Sequence, residues 1–516
     1  MRKMRQRKRM SVLGAQGIFF LILFFVFADF NGSAQAQHTF VLQPSGEARA
    51  LPENMMGFNA ATAFYEDLIE DSSKIELTKI LCPTVLRFPG GSIANYYQWE
   101  TGMIKIPVKE NSSAYTRMMS RVAFYTRRRH PAGIFIEKMT LFSRNVGAEV
   151  LLVPNLETSS IARQVAWFKS MKAQGIVPRY IELGNEFWVA MLNDPNVIEK
   201  FPNVNSAMKT MKAYLAGVQP YLPEEARIAV QGAASDFYTL RPSGGPHSLI
   251  RRMFDWDRGL ENAPWFDAIT IHLYPRPEFV MARGAVSKLP ENVDRVFPAA
   301  MARVDAGLDR MVEAIKRRNP GKEIWITEWN PNHIRFSLEN RDPGLTGMMI
   351  HLTARMFLAF LRHPEITVSN FHMLSFNGQV HSVFSPEGGK YAMTGPGVVI
   401  KWFHQAARGP ALYQKIRILG ANRIPGRGLI REESYLDFEA GLFEREDRFT
   451  LISQNAGRTP VRIDLASLLD GEKVQEIEFF TTPDLMKNHL RSPEIKKITP
   501  SSVFQAPALS LIRVIW

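Results

Sequence analysis

The 516-residue sequence contains one cysteine, Cys82, and its 11 histidines do not show the spacing of a metal site. A single thiol excludes an intramolecular disulfide framework and any zinc or iron–sulfur site built from several thiolates. The chain also lacks a Gly-x-x-x-x-Gly-Lys phosphate loop, a His-Glu-x-x-His motif and a Gly-x-Ser-x-Gly motif. We therefore expect neither a cofactor nor a bound metal ion.

Long hydrophobic runs are scarce, and the clearest one lies near the N-terminus. Six basic residues among the first nine precede an apolar stretch that is uninterrupted over residues 18–28, and small residues follow at Ala34 and Ala36. Because this run is shorter than the ~20 residues of a membrane-spanning helix, it is typical of a secretory signal peptide, here residues 1–36. We expect a periplasmic or extracellular protein without stable membrane insertion after cleavage; a retained anchor helix is the alternative.

The charge excess is modest once that segment is set aside. The net charge is +13, of which residues 1–36 carry +5, so the remaining chain carries +8. Its basic residues are dispersed, apart from Arg127-Arg128-Arg129-His130. We interpret this cluster as a solvated helix end and expect no nucleic-acid binding, with attraction to acidic polymers as an alternative.

Short apolar runs rich in β-branched residues recur along the chain and alternate with segments of helical spacing. Consecutive apolar positions are typical of strands buried on both faces, as in a parallel sheet covered by helices. Eight such runs are found: 56–60, 84–88, 149–154, 180–183, 227–231, 268–273, 323–327 and 367–374. Amphipathic segments between them include 161–174, 207–221, 299–318 and 347–362. This alternation predicts an α/β fold, a (β/α)8 TIM barrel over residues 53–410.

After Arg408-Gly409-Pro410 the pattern changes to short alternating segments separated by turn residues. Such segments predict an all-β sandwich domain over residues 411–516. Residues 37–52 precede the first barrel strand and are expected to add an N-terminal strand to that sandwich.

The residues that end the predicted barrel strands are the candidates for chemistry, because reacting groups of such barrels lie at the carboxyl ends of the strands. Glu186 follows the fourth strand and Glu328 the seventh, and each is followed at once by aromatic residues. Two carboxylates on one rim are the minimum equipment for cleaving a glycosidic bond, one as acid and one as anion. Trp188 and Trp329 would exclude water and offer flat faces to a sugar ring.

These segments resemble a known group of enzymes. Gly-Asn-Glu-Phe-Trp at 184–188 and Ile-Thr-Glu-Trp-Asn at 326–330 resemble the strand-four and strand-seven motifs of clan A retaining glycoside hydrolases. The segment 87–102, Arg-Phe-Pro-Gly-Gly to Trp-Glu-Thr-Gly, is similar to a block of the family 51 α-L-arabinofuranosidases. It is more loosely similar to the family 79 β-glucuronidases and heparanases. The resemblance covers most of the chain, including a C-terminal β-sandwich.

The resemblance implies roles for particular residues. Glu186 is the implied general acid/base, Glu328 the nucleophile, and Asn185 the residue that hydrogen-bonds the sugar 2-hydroxyl. Tyr274, or alternatively His272, stands where the clan places a group that orients the nucleophile.

Arg87 fits a rim arginine that keeps the nucleophile ionised, and a structural salt bridge near the barrel floor is the other interpretation.

Ser92, Thr101 and Thr327 depart from the family 51 pattern. The implied substrate is therefore a carbohydrate, while the sugar stays open, as does the oligomeric state. A uronic-acid-directed hydrolase and a non-catalytic glycan-binding barrel are the alternatives.

Overall fold

The structure is a computed structural model that describes part of the chain. The described residues are 39–107, 114–192, 195–238, 249–275, 289–331, 346–375, 382–387, 390–426, 433–487, 489 and 493–516. The predicted signal peptide, residues 1–36, lies outside them. Within the described ranges, no helix combines the length and the apolar character needed to cross a membrane.

Eight parallel strands close into a barrel whose order follows the chain. They are β2 (Met56–Asn59), β3 (Val85–Phe88), β4 (Glu149–Leu152), β5 (Tyr180–Glu182), β6 (Arg227–Gln231), β7 (Ala268–Leu273), β8 (Glu323–Trp329) and β9 (Ile366–Phe371). All four residues of β3 and all six of β7 are buried, as expected for strands covered on both faces. The predicted (β/α)8 barrel is confirmed.

Helices surround the barrel and connect its strands. Those of the described residues are α1 (Thr62–Tyr65), α2 (Ser72–Leu81), α3 (Ala114–Arg129), α4 (Ile136–Val146), α5 (Ile161–Ala173), α6 (Pro195–Lys200), α7 (Val204–Val218), α8 (Leu249–Gly259), α9 (Leu289–Arg318), α10 (Gly347–Leu361), α11 (Gly395–Ala407) and α12 (Ala466–Leu469). The side chains of Ser160 and Asn203 cap the N-termini of α5 and α7. The amphipathic pattern predicted a helix that begins at residue 299. Helix α9 instead begins nine residues before Pro298, so this proline lies inside the helix.

The C-terminal region is a nine-stranded sheet that includes one strand from the start of the described chain. Its strands are β1 (Thr39–Ala50), β10 (Leu412–Leu419), β11 (Phe438–Arg445), β12 (Arg448–Asn455), β13 (Val461–Asp464), β14 (Glu476–Thr481), β15 (Lys496–Ile498), β16 (Val503–Ala506) and β17 (Ser510–Ile515). They lie in the order β15-β14-β17-β12-β11-β10-β1-β13-β16. The strands are hydrogen-bonded as one continuous sheet, and residues from both of its halves, among them Phe40, Ile463 and Ile512, share one buried core.

Strand β1 lies near the middle of one half of this sheet. It pairs antiparallel with β10 and parallel with β13, and its register shifts between Ser45 and Arg49. The remaining short ladders join 97–98 with 103–104, 384–387 with 390–393, and 423–425 with 434–436.

The sheet packs on the barrel through α10 and α11, and a group of buried charges lies at this junction. We call it the interface cluster; its members are Asp305, Arg355, Arg362 and Glu439. Arg355 Nε donates to Asp305 Oδ1 at 2.8 Å, and its Nη1 lies 2.7 Å from Glu439 Oε2. Arg362 Nη2 donates to Asp305 Oδ1 at 3.1 Å. Each side chain is at most 14% exposed.

Candidate active site

A bulge in β8 sets the direction of Glu328. Ile326 pairs with Ile271 and Glu328 pairs with His272, so β8 has one extra residue, Thr327, between two consecutive pairs. Successive side chains of a regular strand point to opposite faces, and a bulge changes that alternation. Both Thr327 and Glu328 therefore make contacts inside the barrel.

Glu328 is held by three donors at the carboxyl end of the barrel. Its Oε1 accepts from Arg87 Nη1 at 2.7 Å and from Asn59 Nδ2 at 3.1 Å, and its Oε2 accepts from Tyr274 at 2.5 Å. Burial opposes ionisation, but the positive charges of His272 and Arg87 outweigh it and hold the pKa of the Glu328 carboxyl well below its usual range. Glu328 is therefore an anion at neutral pH.

A third carboxylate, Glu182, lies beneath the two candidate carboxylates Glu186 and Glu328. It is fully buried and binds Arg87 in two places, with Nε to Oε2 at 2.6 Å and Nη2 to Oε1 at 3.1 Å. The hydroxyls of Thr270 and Thr327 donate to the same Oε1 at 2.9 and 3.1 Å. Burial raises the pKa of Glu182, but Arg87 and His272 reverse this and lower it overall. Glu182 thus fixes the guanidinium that faces the nucleophile.

His272 lies among all three carboxylates. Its Nδ1 is 2.9 Å from Glu186 Oε1 and 3.6 Å from Glu328 Oε2, and its Nε2 is 3.7 Å from Glu182 Oε1. Burial acts to lower the pKa of His272, but the three carboxylates raise it to about 9. The imidazole is therefore a cation at neutral pH. Gln231, which ends β6, places its Nε2 3.0 Å from His272 Nε2.

Glu186 follows β5 on a sharply turned backbone. It has φ 54°, in the left-handed region that few residues other than glycine adopt, and its N–H donates to Gln231 Oε1. Gly184 has φ +92°, and a Cβ there would lie 2.2 Å from the Phe187 ring. This turn brings the Glu186 side chain over the barrel mouth, where it is 24% exposed against 6% for Glu328.

The two carboxyl groups are close. One oxygen of Glu186, one oxygen of Glu328 and a ring nitrogen of His272 lie within 4.8 Å of one another. Asn185 stands beside them, since its Oδ1 accepts from Arg87 Nη2 at 2.9 Å and its backbone carbonyl accepts from Asn95. Five residues form one connected group that we call the site cluster: Arg87, Glu182, Glu186, His272 and Glu328.

The two tryptophans behave differently from the other candidates. Trp329 is fully buried, its Nε1 donates to Ser369 at 2.9 Å, and its ring packs edge-on against Phe357 and Phe360 of α10. The prediction that it stacks on a sugar is therefore wrong, because the residue after the inward-facing Glu328 points to the helices. Trp188 is 9% exposed in the core, and its part in sugar binding stays a prediction.

The trio Glu186, His272 and Glu328 also has the composition of a metal site, and it is the one such group found among the described residues. Its chemistry fits a metal poorly. A protonated imidazole offers no lone pair, and the Arg87 guanidinium already supplies a cation to Glu328.

The structure thus brings together Arg87, Asn185, Glu186, His272, Tyr274 and Glu328. Tyr274 contacts Glu328, while His272 contacts Glu186 more closely, so the two positions proposed as alternatives do different things. Sequence reasoning missed Asn59, Glu182 and Gln231. Asn59 and Gln231 are polar residues at the end of apolar runs, which is the signal that could have identified them.

Comparisons with known proteins agree on the fold. No family model matches the sequence, and no curated protein matches it. Solved structures do match. The family 51 arabinofuranosidase of Xanthomonas axonopodis pv. citri is 13% identical with a TM-score of 0.62, and the match covers 92% of this chain and 99% of that one.

Two further solved structures also match nearly the whole chain. An α-L-arabinofuranosidase of Thermotoga maritima, solved with arabinose, is 14% identical with a TM-score of 0.62, covering 93% and 99% of the two chains. A family 44 xyloglucanase of Paenibacillus polymyxa, solved with xyloglucan, is 10% identical with a TM-score of 0.57, covering 92% and 99%. The chain therefore shares its fold, a barrel followed by an all-β domain, with these solved glycoside hydrolases over nearly its whole length.

Proposed function

We propose that this protein is an exported retaining glycoside hydrolase. The observation that carries the proposal is the approach of Glu186 and Glu328, whose nearest carboxylate oxygens lie within 4.8 Å at the carboxyl end of the barrel. Retaining enzymes hold their two carboxyl groups about 5 to 5.5 Å apart, whereas inverting enzymes leave room for a water at roughly 6.5 to 9.5 Å. The spacing supports the covalent route.

In the first step, Glu328 attacks the anomeric carbon and forms an ester bond to it. The bond from that carbon to the leaving oxygen breaks, and Glu186 gives its proton to that oxygen. In the second step, a water attacks the same carbon, gives one proton to Glu186 and releases the Glu328 carboxylate. Two inversions restore the original configuration.

The surrounding groups suit these steps. Arg87, Asn59 and Tyr274 keep Glu328 charged and oriented for attack. His272, a cation at 2.9 Å from Glu186, stabilises the carboxylate that Glu186 becomes after donating its proton. Arg87 donates a hydrogen bond to Asn185 Oδ1. The Asn185 Nδ2 group can therefore donate to a sugar 2-hydroxyl.

The substrate that we favour is an arabinofuranoside, because arabinofuranosidases are among the solved structures that share the fold over nearly the full length. Export follows from the N-terminal sequence, where a basic segment precedes a short apolar run and small residues. An extracellular or periplasmic site of action suits a polysaccharide or oligosaccharide substrate.

A panel of nitrophenyl glycosides that includes the arabinofuranoside, xyloside, glucuronide and galactoside tests the proposal. We expect turnover of at least one member, and NMR of the first product should show the configuration of the substrate. Glu186→Ala should still cleave a dinitrophenyl glycoside, and azide should accelerate it and yield a glycosyl azide of retained configuration.

A first product of inverted configuration would overturn the covalent route. If the protein binds oligosaccharides but releases no reducing ends from any panel member over a day at high protein concentration, a non-catalytic glycan-binding role replaces the enzymatic one.

A further inference from the structure

Helix α3 carries the basic cluster that the proposed reaction does not use. Its sequence, Ala-Tyr-Thr-Arg-Met-Met-Ser-Arg-Val-Ala-Phe-Tyr-Thr-Arg-Arg-Arg, contains five arginines and no acidic residue. Thr116, Met119 and Thr126 are buried beneath it. The opposite face is therefore both cationic and turned to solvent.

Aromatic rings share that face with the arginines. Phe124 is 64% exposed and Tyr125 is 52% exposed, with their ring centroids 5.5 Å apart. Arg121 and Arg128 are exposed, and neither forms an ion pair within the described ranges of the chain. Because residues three, four and seven apart share one side of a helix, these four residues form a single patch, which we call the α3 face.

Helix α3 lies near the active-site end of the barrel, and the α3 face is on the side of the helix opposite to Thr126. Thr126 Oγ1 donates to the Phe64 carbonyl at 2.9 Å, which ties α3 to α1. Helix α1 begins three residues after Asn59, the strand end that donates to Glu328. The α3 face is therefore at the same end of the barrel as the site cluster.

We propose that the α3 face binds an anionic polysaccharide, with uronate carboxylates on Arg121 and Arg128 and sugar rings on Phe124 and Tyr125. The inference rests on the proposed function, since that function places a sugar chain in the barrel mouth. A guanidinium binds a carboxylate through two parallel N–H donors, which a lysine does not. Arg121 and Arg128 are seven residues apart, about 10 Å along the helix, so one extended chain can contact both.

The charge pattern favours this occupant over a neutral glycan. A neutral chain can accept only ordinary hydrogen bonds from the two guanidinium groups, whereas a polyuronate offers them carboxylates at regular intervals, next to apolar sugar faces, and charge-assisted hydrogen bonds are stronger. Exposed tyrosine and arginine are also the residues that contribute most often to binding hot spots. The enzyme would thereby hold an acidic polymer on its own surface.

Isothermal titration of the protein with polygalacturonate tests the proposal, with dextran, a neutral glucan outside the favoured substrate class, as the neutral polymer. The Glu328→Gln background keeps turnover out of the measurement. We expect polygalacturonate to bind, more weakly at high salt, and Arg121→Gln/Arg128→Gln to weaken that binding about tenfold or more. Phe124→Ser removes a ring without changing charge, and we expect it to weaken binding as well.

The matched control is Arg417→Gln/Arg462→Gln, two exposed arginines of the sheet domain with the same total charge change. It should alter binding less than about twofold, because screened distant charges contribute little. Equal affinity of the α3 double variant and its parent overturns the proposal, as does equal affinity for dextran and polygalacturonate.

Tighter binding of single-stranded DNA or of phosphatidylserine vesicles through Arg121 and Arg128 also overturns the proposal, in favour of a nucleic acid or a membrane. The readout is separate from activity. Failure of the nitrophenyl panel removes the proposed function while polymer binding is still measured, and absence of polymer binding leaves the panel result intact.

Discussion

The site cluster and the interface cluster are both buried groups of arginine and carboxylate, yet their charges are arranged differently. The interface cluster has two arginines and two carboxylates, all nearly enclosed. The site cluster has two cations, Arg87 and His272, against three carboxylates, and one of these, Glu186, reaches solvent. A balanced, closed cluster fixes packing only. An excess carboxylate with access to substrate provides a group that can take up and release a proton.

The largest effect should come from breaking the site cluster at Glu328. Glu328→Gln removes the nucleophile, and we expect kcat to fall by about 10⁴-fold or more. The free energy of unfolding should fall by about 2 to 4 kcal/mol at neutral pH, because a carboxyl whose pKa is depressed in the folded protein stabilises it when ionised. Steady-state kinetics and urea unfolding measure the two quantities. Activity within tenfold of the parent protein would rule out Glu328 as the nucleophile.

A loss of stability without a loss of activity is expected in the interface cluster. Asp305→Asn leaves Glu439 as the one buried carboxylate that Arg355 and Arg362 contact, and we expect a loss of about 3 kcal/mol in the free energy of unfolding. The kcat of the folded fraction should stay unchanged. Asp309→Asn is the control, since Asp309 is 53% exposed beside Arg362 and should cost less than about 1 kcal/mol. Equal losses in the two variants would contradict the assignment.

Glu182 should show an intermediate effect that depends on pH. The pKa of His272 is raised to about 9, so the stabilisation from its charge is complete below about pH 6.5 and is lost as the pH rises through 9. Glu182→Gln removes one of the carboxylates that raise the pKa of His272. We expect that pKa to fall, the alkaline limb of activity to move to lower pH, and kcat to drop about 10- to 100-fold.

Titration of His272 by ¹⁵N NMR and the pH profile of kcat/KM measure these shifts. Thr270→Val is the matched control, because it removes a hydrogen bond to Glu182 without removing its charge. A uniform loss of activity at every pH, with an unshifted His272, would mean that Glu182 acts in packing alone.

The smallest effect concerns Glu157, a buried carboxyl that belongs to neither cluster. It is 4% exposed, its oxygens have no hydrogen-bond partner among the described residues, and burial raises its pKa to about 8. The folded state therefore keeps a proton that the unfolded chain loses above about pH 4.3, and stability declines between those values. Glu157→Gln should add about 1 to 3 kcal/mol at pH 8 and nothing at pH 4.

Thermal unfolding at the two pH values checks this prediction. Glu137→Gln, at an exposed position, is the control and should shift stability at neither pH. A destabilised Glu157→Gln at pH 8 would show that the carboxylate has a partner in the folded protein.

Much of the fold was predictable because barrel strands are read from consecutive apolar residues. Strands β6 and β7 have the predicted bounds, and Glu186 follows β5 as expected, whereas β8 extends two residues beyond its predicted end and so contains Glu328. The roles of polar residues inside the apolar runs were harder to predict from the sequence. Glu182 lies within the apolar segment 180–183, where a single carboxylate looks like an interruption; its role depends on Arg87 from β3, and spacing along one strand does not reveal that neighbour.

The interface cluster could not be predicted from the sequence for a related reason. Arg355 lies in α10, whose other residues are almost all apolar, so the helix predicted only burial. The signal that could have helped was the presence of His351 and Arg355, four residues apart, on a helix buried along its whole length. Their partners come from α9 and from the sheet domain, far along the chain.

The position of β1 has a consequence for how this protein can be divided. Val41 pairs with Leu419 and Phe40 with Ile463, so the first described strand fills an interior place, third from one edge, in a sheet whose other strands follow the entire barrel. A fragment beginning after residue 410 would expose the unpaired edges of β10 and β13, and exposed edges promote aggregation. The two domains therefore cannot be separated by one cut in the chain; a soluble sheet domain requires residues 39–50 to be fused back onto it.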